Sequence, residues 1–221
     1  MVAPFEYFDL DDDLEITQQH LPHWDQPGKT YFVTFRTADS MPADVLRQWH
    51  QRRRDWLSRH HINPDREDWE DRLAQLPERF QRQFHETISR EYHRHLDDCH
   101  GECVLRQPDL AKSVADSLHF FDAERYRLGD FIVMPNHVHL LVGLVPGIKI
   151  KAQCRSWKRY TAGEINKKLG RRGRFWQVES FDHIVRSPDQ FERLRRYIAS
   201  NPQKAGLREG EYLLYRFDGA R

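Results

Sequence analysis

The sequence predicts an α+β fold, and three observations predict it. Residues 30–36, Thr-Tyr-Phe-Val-Thr-Phe-Arg, are aromatic and β-branched, which suits a pleated strand. Two short apolar runs, 131–134 and 140–142, meet at the corner Pro135-Asn136 and read as a pair of buried strands joined by a turn. Stretches of apolar residues three and four apart precede and follow these runs, as amphipathic helices require. The chain has 221 residues, 38% of them hydrophobic and 31% charged, so it can build a sizeable core beneath a heavily charged surface.

In chain order, residues 1–28 carry Asp11-Asp12-Asp13 with Pro22 and Pro27 and read as an irregular acidic arm. The strand at 30–36 follows. Ser40-Met-Pro-Ala-Asp44 supplies helix-start chemistry for a helix through Val45, Leu46, Trp49, Trp56 and Leu57. Residues 58–110 are polar, with Trp69, Leu73, Leu76, Phe80, Phe84 and Ile88 near helical spacing, and read as a helical insertion. His93, His95, Cys99, His100 and Cys103 fall close together there. Their spacing fits no structural zinc pattern and no second Cys/His pair follows, so no zinc cluster is expected. Residues 111–126 form a further helix with Val114, Leu118 and Phe121 as its apolar stripe, and the two central strands come next.

Beyond the strands, residues 150–169 read as a basic amphipathic helix, with Lys158, Arg159 and Tyr160 on it and Gly170 as its C-terminal stop. The loop Arg171-Arg172-Gly-Arg174-Phe175-Trp176-Gln177 combines cations with two aromatics, a composition suited to phosphates and stacked, unpaired bases. A short strand covers 180–186. Ser187-Pro188-Asp189 then opens a last helix through Phe191, Leu194 and Ile198, with Pro202 as the expected stop.

Charge is unevenly spread. From residue 149 onward there are 18 Lys/Arg against 8 Asp/Glu, a surplus of ten, although the whole chain carries only +1. A basic half beside an acidic one points to a polyanionic partner, or to a solvated helical surface. No apolar run approaches the ~20 residues of a membrane helix. The acidic start predicts no signal peptide, and three cysteines without a framework fit a reducing cytoplasm.

Candidate site residues sit on two elements. In a strand, residues two apart share a face, so His137 and His139 present two imidazoles together, half of a metal site, while Val138 turns to the core. On the last helix Tyr197 and Asn201 are four apart and share a face, among Arg193, Arg195 and Arg196 and ahead of Lys204. The phenol is a candidate nucleophile and the amide oxygen a candidate cation ligand. Read alone, the helix favours Tyr197 as a packed interfacial residue and Asn201 as a helix cap, since aromatics at helical spacing are usually core.

The motif Met-Pro-Asn-His137-Val-His139-Leu-Leu-Val resembles the His-hydrophobic-His motif of HUH nucleases. Phe175-Trp-Gln, Phe181-Asp-His-Ile-Val-Arg and Tyr197-Ile-Ala-Ser-Asn201-Pro-Gln-Lys204-Ala-Gly look like the blocks that follow in REP-associated tyrosine transposases, relatives of insertion-sequence-200-like transposases. The resemblance covers 125–207 well and 30–57 loosely, within a single transposase-like domain spanning 1–221. It implies a ferredoxin-like antiparallel sheet with helices on one face, plus the 58–110 insertion. It further implies Mg²⁺ or Mn²⁺ on His137, His139 and Asn201, and Tyr197 as nucleophile on single-stranded or hairpin DNA. Lys158, Arg159, Arg171, Arg172, Arg174, Phe175, Trp176, Arg196 and Lys204 are the expected DNA contacts, and Tyr160 is a rival nucleophile. A nucleoid-associated cytoplasmic monomer or homodimer is expected. Two other readings remain open: a hairpin-binding module without cleavage, and a metallohydrolase that uses activated water.

Overall fold

The structure is a computed structural model and describes residues 5–9, 12, 15–18, 22–40, 43–64, 66, 69–84, 87–88, 100–178 and 180–219. The chain divides into two compact units, one built from Met1–Ala38 with Glu102–Arg221, the other from Asp39–Gly101.

The larger unit holds a two-stranded and a five-stranded sheet. Strands β1 (Glu15–Gln18) and β2 (Pro22–Asp25) pair antiparallel inside the arm expected to be irregular. The acidic composition hides this hairpin, because neither strand is long or alternating enough to announce itself. Strand β3 (Thr30–Arg36) lies where the aromatic run places it. It is followed in this unit by helix α1 (Pro108–His119), strands β4 (Tyr126–Val133) and β5 (His137–Leu144) and helix α2 (Ile150–Lys168). Strand β6 (Phe181–Ile184), helix α3 (Pro188–Lys204) and strand β7 (Leu213–Tyr215) complete it. The large sheet runs β6-β3-β5-β4-β7 and its pairings are antiparallel. Strands β3, β4, β5 and β6, with α1 and α2 as the two crossovers, give the ferredoxin-like βαββαβ order.

Each sheet face has its own core. Tyr31, Val33 and Phe35 of β3 join Val138, Leu140 and Val142 of β5 beneath Val114 and Leu118 of α1 and Trp157 and Ile165 of α2. Phe32, Ile132 and Leu141 face the other way, beneath Phe191 and Ile198 of α3. Helices α1 and α2 thus share one face, and α3 crosses the opposite one. The alternation of strand side chains produces this split directly.

Two helix ends differ from the expectation. Helix α1 stops at His119, well before residue 126. Asp122 Oδ1 accepts from the N–H groups of Ala123 (3.0 Å) and Leu128 (2.8 Å), and Ala123 takes a left-handed φ of 66°. That side-chain turn competes successfully with the helix and returns the chain into β4. Helix α3 does not stop at Pro202 but carries it inside its last turn, ending at Lys204. A proline there forfeits a hydrogen bond only near the helix end, and Gly206 (φ 63°) makes the actual reversal. Strand β7 was not read from the sequence at all, since its three residues pair only at the sheet edge.

The smaller unit begins at Asp39, whereas the insertion was read from residue 58. It holds helices α4 (Ala43–Arg59), α5 (Trp69–Ala74) and α6 (Glu78–Phe84). Trp56, Leu57, Ile62, Trp69, Leu73, Phe84 and Ile88 form its own core. Trp49 Nε1 donates to the Ile88 carbonyl at 2.9 Å. His93, His95 and Cys99, weighed above for zinc, lie outside the described residues.

Candidate active site

The corner Pro135-Asn136 closes a tight hairpin: Met134 N–H donates to the His137 carbonyl at 2.8 Å. His137 is therefore the first residue of β5, and His137, His139 and Leu141 point away from the α1/α2 core. The two imidazole centroids are 4.7 Å apart. Both rings are buried, at 0% and 1% exposure.

Their orientation is set from behind. His137 Nδ1 donates to Asn136 Oδ1 at 2.7 Å, and His139 Nδ1 shares a 2.7 Å hydrogen bond with Thr34 Oγ1 across the β3–β5 ladder. Donation from Nδ1 leaves the lone pair of His137 on Nε2, the tautomer that ligates a metal. Phe32 stacks beside His139 with centroids 5.4 Å apart.

Helix α3 brings its phenol to this face. The Tyr197 and His139 ring centroids are 5.3 Å apart, and Tyr197 also meets Phe32 edge-on at 6.0 Å. Ser187 starts the helix by accepting from Gln190 N–H, with Pro188 at its first position. Because α3 runs on past Pro202, Asn201 is an interior helical residue one turn beyond Tyr197 and not a cap. It is fully buried, and neither Oδ1 nor Nδ2 has a hydrogen-bond partner among the described residues. A buried, unsatisfied amide costs about 1–3 kcal/mol and marks a place where a ligand is due. No group of three or more His, Cys, Asp or Glu gathers among the described residues. The donor set on offer for a cation is thus two imidazoles and one amide oxygen, which fits a hard divalent ion that keeps water and phosphate as further ligands.

Charge is placed around the phenol. Lys204 Nζ stands 4.8 Å from the Tyr197 ring centroid. Arg195 Nε meets Asp130 Oδ1 at 3.1 Å, and Asp130, on β4, also accepts from Phe217 N–H at 2.9 Å. Burial works against the Arg195 guanidinium, but its contacts with Glu192 and Asp130 outweigh that and hold its pKa above the usual value. This pair fixes α3 on the sheet. Arg196 and Arg193 remain exposed.

The other expected site residues lie elsewhere. Tyr160 is 58% exposed on α2, so the sheet stands between it and the imidazoles. Phe175 and Trp176 were expected to stack on bases and are instead core residues, 3% and 4% exposed. Trp176 Nε1 donates to Thr161 Oγ1 at 2.8 Å, and its ring meets Phe35 edge-on at 4.9 Å. The isolated bridge between Thr37 and Trp176 turns the indole into the core. Lys158 donates to the carbonyls of Gln177 and Val178, which staples this loop to α2, and Arg171 pairs with Glu102 at 2.7 Å. Arg159, Arg172 and Arg174 are exposed. Asn136 and Thr34, which aim the imidazoles, were not assigned roles from sequence. Thr34 stands alternate to Phe32 in its strand, but its pairing with His139 depends on a strand register that sequence does not give.

Residues 105–201 match the family model described as "Transposase IS200 like". A solved structure of a REP-associated tyrosine transposase bound to a REP hairpin is similar at 14% identity and a TM-score of 0.42, covering 83% of this chain and 72% of that one. No curated protein matches the chain. The segment similar to that family model holds both imidazoles, the phenol and the amide.

Proposed function

We propose that the protein is a metal-dependent, single-tyrosine transposase of the REP-associated kind, which cleaves and rejoins single-stranded DNA next to a hairpin. The observation that carries this reading is the Tyr197 phenol 5.3 Å, ring to ring, from His139, with the orphaned Asn201 amide one turn on. His137 and His139 through Nε2, with Asn201 through Oδ1, would hold Mg²⁺ or Mn²⁺. When bound, the ion neutralises a nonbridging phosphate oxygen and orients the linkage for in-line displacement.

The chain's own residues do the rest. Tyr197 Oη attacks phosphorus and loses its proton as the O–P bond forms; the P–O3′ bond breaks and the departing 3′ oxygen takes up a proton. The 5′-phosphotyrosine keeps the energy of the broken bond, so a later 3′-OH can reverse the step, which a water-derived product would not allow. Lys204 beside the ring stabilises negative charge developing on the phenol oxygen. Asn136 and Thr34 hold both imidazoles in place, so little reorganisation is needed when substrate arrives. The exposed Arg159, Arg172, Arg174 and Arg196 supply phosphate contacts that are blind to sequence.

The test is a labelled hairpin with a single-stranded flank, incubated with Mg²⁺ or Mn²⁺ and resolved under denaturing conditions. A protein–DNA adduct is expected from the native protein and from Tyr160→Phe, and none from Tyr197→Phe. Free product that persists in Tyr197→Phe would transfer the reaction to activated water. Binding without turnover under either metal would leave a hairpin-binding module.

A further inference from the structure

We infer that Arg36 is a catalytic residue that grips the scissile phosphate beside the imidazoles, an inference that rests on the strand-transfer reading above. Strand β3 alternates cleanly: Tyr31, Val33 and Phe35 enter the α1/α2 core, and Phe32 enters the opposite one. Thr34 is proven to share the Phe32 side by its bond to His139. Arg36 comes next on that side, and it stands directly opposite His137 in the β3–β5 ladder. Cross-strand partners of this kind hold their Cβ atoms roughly 5 Å apart.

Arg36 is only 3% exposed, so its side chain is held out of solvent. Its backbone is pinned on both sides. Gln177 N–H donates to the Arg36 carbonyl at 2.9 Å, and Thr37 N–H donates to the carbonyl of Asn136, the residue that orients His137, at 2.8 Å. The Arg36 backbone is therefore fixed relative to the strand that carries the imidazoles.

Electrostatics then select the ligand. A divalent cation held by His137 and His139 and a guanidinium one strand away together suit an anion that can meet both. A phosphodiester has two nonbridging oxygens, one for the cation and one for the planar fork of an arginine. Lys204, on α3, approaches from the phenol side and leaves the β3 side to Arg36. The sequence gives no hint of this role, because Arg36 reads as the polar end of a strand.

The test reads binding without metal. Once adduct formation locates the cleaved linkage, two hairpins are compared in excess chelator, one with the natural phosphodiester there and one with an uncharged methylphosphonate. The native protein is expected to prefer the charged linkage about tenfold or more. Arg36→Gln should bind both alike, with its affinity for the methylphosphonate hairpin unchanged. Arg36→Lys should keep part of the preference, and it serves if the glutamine variant does not fold. If Arg36→Gln retains the full preference while the native protein still forms a tyrosine adduct, Arg36 has no such role and the strand-transfer reading stands. Equal affinity of the native protein for both hairpins also overturns the assignment. If no hairpin yields an adduct, both readings fall together.

Discussion

Replacing Trp176 by alanine separates two roles for the aromatic pair after the basic loop. If the indole stacks on an unpaired base, its loss costs about 1–3 kcal/mol of DNA affinity and leaves stability alone. The structure assigns it to the core, edge-on to Phe35 and hydrogen-bonded to Thr161 Oγ1. Truncating a buried tryptophan costs about 3–5 kcal/mol. Thr161 Oγ1 continues to donate to the Trp157 carbonyl, so little is added for a stranded acceptor. At about 2–4 °C per kcal/mol for a chain of this size, the melting temperature should fall by roughly 6–20 °C. Trp176→Phe keeps most of the volume and should lose only about 1–2 kcal/mol. Thermal unfolding followed by near-ultraviolet circular dichroism gives the shift, and hairpin affinity measured well below the transition gives the other arm. A Trp176→Ala protein that melts within about 2 °C of the native one but binds the hairpin tenfold more weakly would refute the core assignment.

Four further outcomes are expected. Mn²⁺ at a hundredfold excess over its dissociation constant should stabilise the native protein by about 2.7 kcal/mol, and neither His137→Ala nor Asn201→Ala should respond; denaturant midpoints with and without Mn²⁺ give the comparison. Without metal, Asn201→Ala should be no less stable than the native chain, because it removes two buried atoms that have no partner among the described residues.

Tyr126 should make the fold sensitive to alkali. Burial, with the nearby Asp122, outweighs the hydrogen bond from Trp157 and pushes its pKa up to about 12. The folded state thus holds this proton more tightly than the unfolded state, so the contribution is complete below pH 10 and is lost as pH rises through about 12. It is on the order of 2–3 kcal/mol. Tyr126→Phe should lower stability near neutrality by about 1 kcal/mol yet flatten the decline between about pH 10 and 12, read from urea midpoints. Finally, Arg172→Ala with Arg174→Ala should weaken hairpin binding alike for every sequence and reduce the salt slope by about 1–2, as measured by titration at several ionic strengths. Arg171 is the poorer choice for that test because it already pairs with Glu102.

The elements with strong local patterns were legible. The strand at Thr30–Arg36 was read to the residue, the imidazole hairpin was centred correctly, and the helix carrying Tyr197 was placed by its Ser187-Pro188 start. Alternation within a strand and the four-residue repeat of a helix are local rules, so His137 with His139, and Tyr197 with Asn201, were paired without any coordinates. Short or competing signals were not legible: the β1–β2 hairpin, the edge strand β7, the side-chain turn at Asp122 and a proline tolerated in a last helical turn.

By itself, then, the sequence determined which side chains share a face of their own element, because that follows from backbone geometry alone. Only the tertiary structure decided which faces meet. It laid α3 on the imidazole side of the sheet and α2 with Tyr160 on the other, and it turned Phe175 and Trp176 inward. It also set the β3–β5 register that puts Thr34 behind His139 and Arg36 opposite His137. Register and layer order are fixed by burial summed over the whole sheet, and no local stretch of residues contains that sum.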